Sequence, residues 1–168
     1  MPPATQRSYI KLVVAAVATA YFLFYAFNPM SWSLLDTVNL IIHEAGHTLF
    51  SPFGKVLHIL GGSLLQILVP IVFASYFYFR QDIYSASLLL FWVGQNIINV
   101  SVYMGDAVRM TLPLLGDNPD SHDWHNLFTM CNLLPYTSPI SATVYVLGIL
   151  IIFVAALVSL YQTTTTKN

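Results

Sequence analysis

Charge is what this sequence has least of. Of its 168 residues 6 are Lys or Arg and 7 are Asp or Glu, 8% in all, where a soluble domain carries about 25%. A surface so short of charge cannot face water on most sides. With 57% hydrophobic residues and a mean hydropathy of +0.69, the chain reads as an integral, multi-pass membrane protein whose first partner is the lipid bilayer. The few cations are scattered and the net charge is -1, which excludes a nucleic-acid partner. Cysteine occurs once, at Cys131, which excludes an internal disulfide and a thiolate zinc cluster. That residue is expected as a packed small hydrophobe.

What the chain has instead is apolar runs. A hydrocarbon core of about 30 Å takes about 20 apolar residues per helical crossing, so residues 1–168 make a single domain of five to six hydrophobic segments. Residues 1–7 are polar, carry prolines and are expected to fray. The first segment, 8–27, ends at Asn28-Pro29, where the proline ring stops a helix. It lies beside Arg7 and Lys11 but lacks a clear small-residue cleavage site after Phe27, so it is read as a retained anchor rather than a signal peptide. A second helix starts at a serine cap, Ser31 or Ser33, and stops before Pro52-Phe53-Gly54. Ser51–Gly62 is glycine-marked and too short for another crossing, which predicts a re-entrant loop or small hairpin that could offer an edge to an extended substrate. Further helices are expected over 63–79, 83–104 and 140–161, with a short one over 124–134 and a polar tail. The fold class is therefore all-α, a polytopic transmembrane bundle of five to six helices with a re-entrant loop after the second.

Into the second helix is set His43-Glu44-Ala45-Gly46-His47, an HExxH motif among Leu40, Ile41, Ile42 and Leu49. Helix residues four apart share a face, so both imidazoles can grip one Zn2+ while Glu44 reaches a water on it. Zinc needs a third protein ligand and an open position, where the pKa of water falls from 15.7 to about 7 and Glu44 can act as general base. The bland alternative is that the two histidines only hydrogen-bond between helices. Against it, ionisable groups in an apolar segment are costly unless something satisfies them, and are functional candidates by default.

Three residues compete as third ligand: Asp123, His122 and Asp106. Ser121 can cap a helix that puts His122 and Asp123 in its first turn, so Asp123 ranks first, His122 second and Asp106 third, the others orienting the imidazoles. His58 is taken as a loop residue. Gln95, Asn96, Asn99, Tyr103 and Asp106 form a polar stripe that either lines a catalytic cavity or joins helices. Asn96, Asn99 or Tyr103 could steady an oxyanion, and Gln66 either faces the site or packs between helices. Placing the N-terminus in the cytoplasm puts Arg7, Lys11, Lys55 and Arg109 inside and Arg80 outside, with the active site on the cytoplasmic side.

The run HEAGHTLFSPFGKVLHILGG, within residues 33–62, resembles the motif helix and following loop of the site-2 protease family of intramembrane zinc metalloproteases. The other helices are similar only in layout. The resemblance implies an endopeptidase acting on membrane-protein or membrane-edge peptide bonds, with His43 and His47 on zinc and Glu44 catalytic. That family takes its third ligand from an aspartate in Asn-x2-Pro-x4-Asp-Gly. Asn132-Leu133-Leu134-Pro135 matches the first half, but Ile140 stands where the aspartate would be; Tyr103-Met104-Gly105-Asp106-Ala107 with the later His122-Asp123-Trp124 looks instead like a small, divergent branch of the same clan, and the resemblance leaves the third ligand open. No PDZ-like module is expected. The rival functions are a non-catalytic metal-binding scaffold or chaperone, and an ion transporter, against which no inverted repeat is visible.

Overall fold

A computed structural model of the chain describes residues 4–113 and 122–165. All regular structure among them is helical: α1 (Ala4–Phe27), α2 (Leu34–Phe50), α3 (Lys55–Phe79), α4 (Ile83–Gly105), α5 (Asp123–Met130) and α6 (Thr137–Thr165), with single 3-10 turns at Ser51–Phe53 and Leu134–Tyr136. Among the described residues four stretches are long and apolar enough to cross a membrane: Ser8–Phe27, Lys55–Phe79, Ile83–Gly105 and Leu134–Thr164. α2, with 17 residues, and α5, with 8, are shorter.

Local chemistry sets the boundaries. The Asn28 side chain donates to the Phe24 carbonyl at 2.9 Å and closes α1 ahead of Pro29. Ser33 opens α2 through a capping box, its hydroxyl accepting from the Asp36 amide while the Asp36 carboxylate accepts from the Ser33 amide. Ser121, expected as the cap of α5, lies outside the described residues; His122 fills that role, its side chain accepting from the His125 amide. α5 stops at Met130, with Asn132 in the left-handed region at φ 57, and Cys131 at its end is exposed rather than packed.

The expected re-entrant loop is not there. Gly54 turns the chain at φ 96, a value that suits glycine, and α3 then runs unbroken from Lys55. Gly61 and Gly62, which suggest a break in the sequence, serve a helix crossing instead. A Cβ on Gly61 would lie 2.7 Å from the Gly46 carbonyl oxygen, so the lack of side chains lets α2 and α3 approach backbone to backbone. That contact offsets a helix-propensity cost of about 1 kcal/mol per glycine.

Two apolar clusters hold the bundle. Tyr25, Ala26, Phe91, Ile98, Ile152 and Ala155 join α1, α4 and α6; Ile59, Val100, Met104, Trp124, Leu127 and Phe128 join α3, α4 and α5. Tyr145 adds a hydroxyl bond to the Ala26 carbonyl, and the Trp124 indole donates to Ser63 Oγ at 3.1 Å, seating α5 on α3. The face α2 turns inward carries Asp36, Asn39, His43 and Gly46. Its outward face carries Leu34, Ile41 and Leu49, which are 83%, 67% and 56% exposed. Polar inside and apolar outside reverses the order of a water-soluble helix and suits one bathed in lipid.

Candidate metal centre

The motif residues project from the last turns of α2. Imidazole centroids of His43 and His47 lie 4.8 Å apart, and one nitrogen of each ring together with a Glu44 carboxylate oxygen fall within 4.8 Å of one another. From α5, 80 residues downstream of His43, Asp123 joins them: its Oδ2 is 3.0 Å from His43 Nε2 and 3.2 Å from His47 Nε2. Asp123 is placed by its own amide, which donates to the Tyr103 hydroxyl at 3.0 Å, and by the docking of α5 through Trp124.

The outer nitrogens of both rings are tied off. His47 Nδ1 lies 2.9 Å from the His58 carbonyl, and His58 Nδ1 returns a bond of the same length to the His47 carbonyl. His43 Nδ1 lies 3.2 Å from Gln66 Oε1. A carbonyl oxygen only accepts, so each Nδ1 carries a hydrogen, which leaves each Nε2 to offer its lone pair to a cation beside the Asp123 carboxylate. Two such lone pairs and a carboxylate oxygen converge on one point, an arrangement that calls for a cation.

The space fits one. Ligand atoms about 2.0–2.2 Å from a tetrahedral zinc ion lie roughly 3.3 Å apart, close to the two separations here. Gly62 supplies the room: a Cβ there would come within 2.6 Å of His43 Nε2 and 2.7 Å of His47 Nε2. Beside the three atoms opens a cavity of about 950 Å³ lined by Glu44, Asn99, Tyr103, Trp32, Leu40 and Pro113, among others. One wall is thus chemically equipped and the rest largely apolar, as in many small-molecule and peptide sites.

The other candidates for third ligand are placed elsewhere. His122 does not join the rings: Nδ1 accepts from the His125 amide at 3.2 Å and Nε2 faces Asp106 Oδ2 at 3.5 Å. Burial pushes the His122 imidazole below its ordinary pKa, outweighing the Asp106 carboxylate beside it, which keeps the ring neutral and able to cap. Asp106 accepts from the Thr111 and Leu112 amides at 2.8 and 2.9 Å and from the Thr111 hydroxyl at 2.8 Å. Burial pushes its carboxyl up, but those donors prevail and hold it below the usual range. It shapes the turn after α4.

The polar stripe of α4 divides. Asn99 and Tyr103 line the cavity; Gln95 and Asn96 are fully buried away from it, and Asn96 Nδ2 donates to the Trp92 carbonyl. Gln66 faces the site through His43, and His58 is helical, braced against His47. Sequence reasoning passed over Asp36, which is 3% exposed and receives hydrogen bonds from Tyr25, Ser33, Gln95 and Asn99. A lone carboxylate on the same helical stripe as His43 was the available signal. No family model, curated protein or solved structure matches the chain. The chemistry of the site stands on its own residues.

Proposed function

We propose that the chain is an integral membrane zinc endopeptidase, similar in chemistry to the site-2 proteases, that cleaves peptide bonds of membrane proteins or peptides within or at the edge of the bilayer. The observation that carries this is the convergence of His43 Nε2, His47 Nε2 and Asp123 Oδ2 beside Glu44. His43, His47 and Asp123 would hold the ion. Bound there, zinc would lower the pKa of a water toward about 7 and polarise the scissile carbonyl.

The protein's own groups do the rest. The Glu44 carboxylate takes a proton from the attacking water and passes it to the amine nitrogen as the C–N bond breaks, leaving Glu44 ionised again. Tyr103, whose hydroxyl accepts from the Asp123 amide, braces that ligand at the wall of the cavity; Asn99 has both amide ends engaged by Asp36 and Gln66. The apolar outer face of α2 supports a location in lipid. With α2 counted as a crossing, 17 residues being the short end of the spanning range, the distribution of Arg7, Lys11, Lys55, Arg80 and Arg109 favours a cytoplasmic N-terminus and site.

The test is Glu44→Gln in detergent-purified, zinc-loaded protein offered a library of fluorogenic transmembrane peptides. Hydrolysis by the unmodified protein should fall at least about 100-fold in the variant, with zinc content unchanged. No hydrolysis by either despite bound zinc would point instead to the metal-binding scaffold, and equal turnover by both would refute Glu44 as the general base.

A further inference from the structure

We infer that Asp36, through Asn99 and Gln66, positions His43 of the metal centre by dictating which ring nitrogen carries the hydrogen. This rests on the zinc reading of the site. Gln66 Oε1 faces His43 Nδ1 at 3.2 Å, Gln66 Nε2 donates to Asn99 Oδ1 at 2.8 Å, and Asn99 Nδ2 donates to Asp36 Oδ1 at 3.1 Å. Two side chains, one on α4 and one on α3, thus link a carboxylate of α2 to the imidazole seven residues further along the same helix.

A primary amide has a donor end and an acceptor end, so a chain of amides has a direction. Asp36 sets it. Its Oδ1 accepts from the Tyr25 hydroxyl, Gln95 Nε2 and Asn99 Nδ2 at 3.1, 2.8 and 3.1 Å. Its Oδ2 accepts from the Ser33 amide and hydroxyl at 2.7 and 2.6 Å. A carboxylate has no hydrogen to give, so Asn99 must turn its NH2 toward it and its oxygen toward Gln66. Gln66 must then turn its own oxygen toward His43, whose hydrogen on Nδ1 leaves Nε2 to meet the ion beside Asp123.

A second branch shows the same direction independently. The Trp92 indole, which can only donate, gives to Asn39 Oδ1 at 2.8 Å; Asn39 Nδ2 gives to Gln95 Oε1 at 2.7 Å; Gln95 Nε2 gives to Asp36. Pinned by a pure donor at one end and the carboxylate at the other, that branch has only one consistent orientation. The branch through Asn99 and Gln66 has the same form, with His43 in the place of Trp92. Reversing it would set the Asn99 oxygen against the Asp36 carboxylate and the Gln66 NH2 against His43 Nδ1, which would put the ring hydrogen on Nε2, where His43 meets the ion. Asp36, Asn99 and Gln66 are positioning residues, and none needs to touch a reacting atom.

The experiment is zinc affinity of full-length protein in detergent, by competition with a chromophoric chelator. Asn99→Leu removes the direction-setting link and frees the Gln66 amide to turn. Affinity should fall 10- to 100-fold, the range for losing a partner that orients a ligand. Adding Gln66→Glu to Asn99→Leu should recover most of the loss, because a carboxylate has no wrong way round. Gln66→Glu alone should bring no gain, since the introduced carboxylate then meets the Asn99 oxygen; a simple charge effect would tighten binding in both backgrounds. Should Asn99→Leu not fold, Asn99→Ser, too short to bridge both partners, replaces it. Undiminished affinity in the Asn99 variant, or no recovery on adding Gln66→Glu, overturns the inference. Zinc-binding protein that obeys this pattern but hydrolyses nothing refutes the peptidase alone, and unmodified protein without zinc affinity refutes both.

Discussion

α4 crosses α6 and α2 crosses α3 by the same device, a glycine on each helix, yet only one crossing makes a site. A methyl on Gly148 would lie 2.9 Å from the Gly94 carbonyl oxygen and 2.6 Å from Ile98 Cγ1. What the closeness secures there is apolar: Phe91, Ile98 and Ile152 are fully buried around it. At the other crossing the next residue along α3, Gly62, has the nitrogens of His43 and His47 as its neighbours. Close approach of backbones can anchor a bundle or clear a cradle for a ligand, and the side chains one position away decide which.

The sharpest way to break this comparison is to fill each crossing with one methyl. Gly62→Ala should lower zinc affinity more than about 100-fold, beyond the loss of an orienting partner, because the added carbon occupies the space between the ring nitrogens. Its melting temperature should change less, since the rings can swing toward the cavity. Retained zinc affinity would show the cradle to be incidental. Gly148→Ala should do the opposite, costing about 1–3 kcal/mol through overpacking, read as a lower melting temperature, with the zinc affinity of the folded fraction intact. The smallest effect sharpens the boundary of the site itself. His122→Ala should cost about 1 kcal/mol as a lost helix cap and His122→Asn should restore it, zinc staying bound in both. Loss of zinc from the Asn variant would make His122 a ligand.

The site was legible in the sequence as far as helix periodicity reaches. Four-residue spacing is enough to bring His43 and His47 to one face and to leave Glu44 beside them. The third partner depends on how α5 docks against α3, a contact made by Trp124 and Ser63 across 61 residues, and no local pattern encodes it. Helix position alone ranked Asp123 ahead of His122 and Asp106, and only Asp123 turns a side-chain oxygen to the rings. Glycines misled for a related reason: Gly61 and Gly62 cost helix propensity locally, and the compensating contact with Gly46 is on another helix. Asp36 was missed because a carboxylate in the first turn of α2 is explained by capping alone, whereas its bonds to Gln95 and Asn99 come from α4. Composition led to a count of five to six segments where, among the described residues, four stretches are long and apolar enough to cross a membrane, because α2 and α5 are short and polar on one side.

The most direct measurement of the central claim is zinc K-edge X-ray absorption on protein purified in detergent and loaded with a single equivalent of zinc. The spectrum should show imidazole scattering from two rings and a light oxygen shell at about 2.0–2.2 Å, with the imidazole signal halved in His47→Ala and the oxygen shell reduced in Asp123→Ala. A protein that retains no zinc, or a spectrum unchanged by either substitution, would contradict the account.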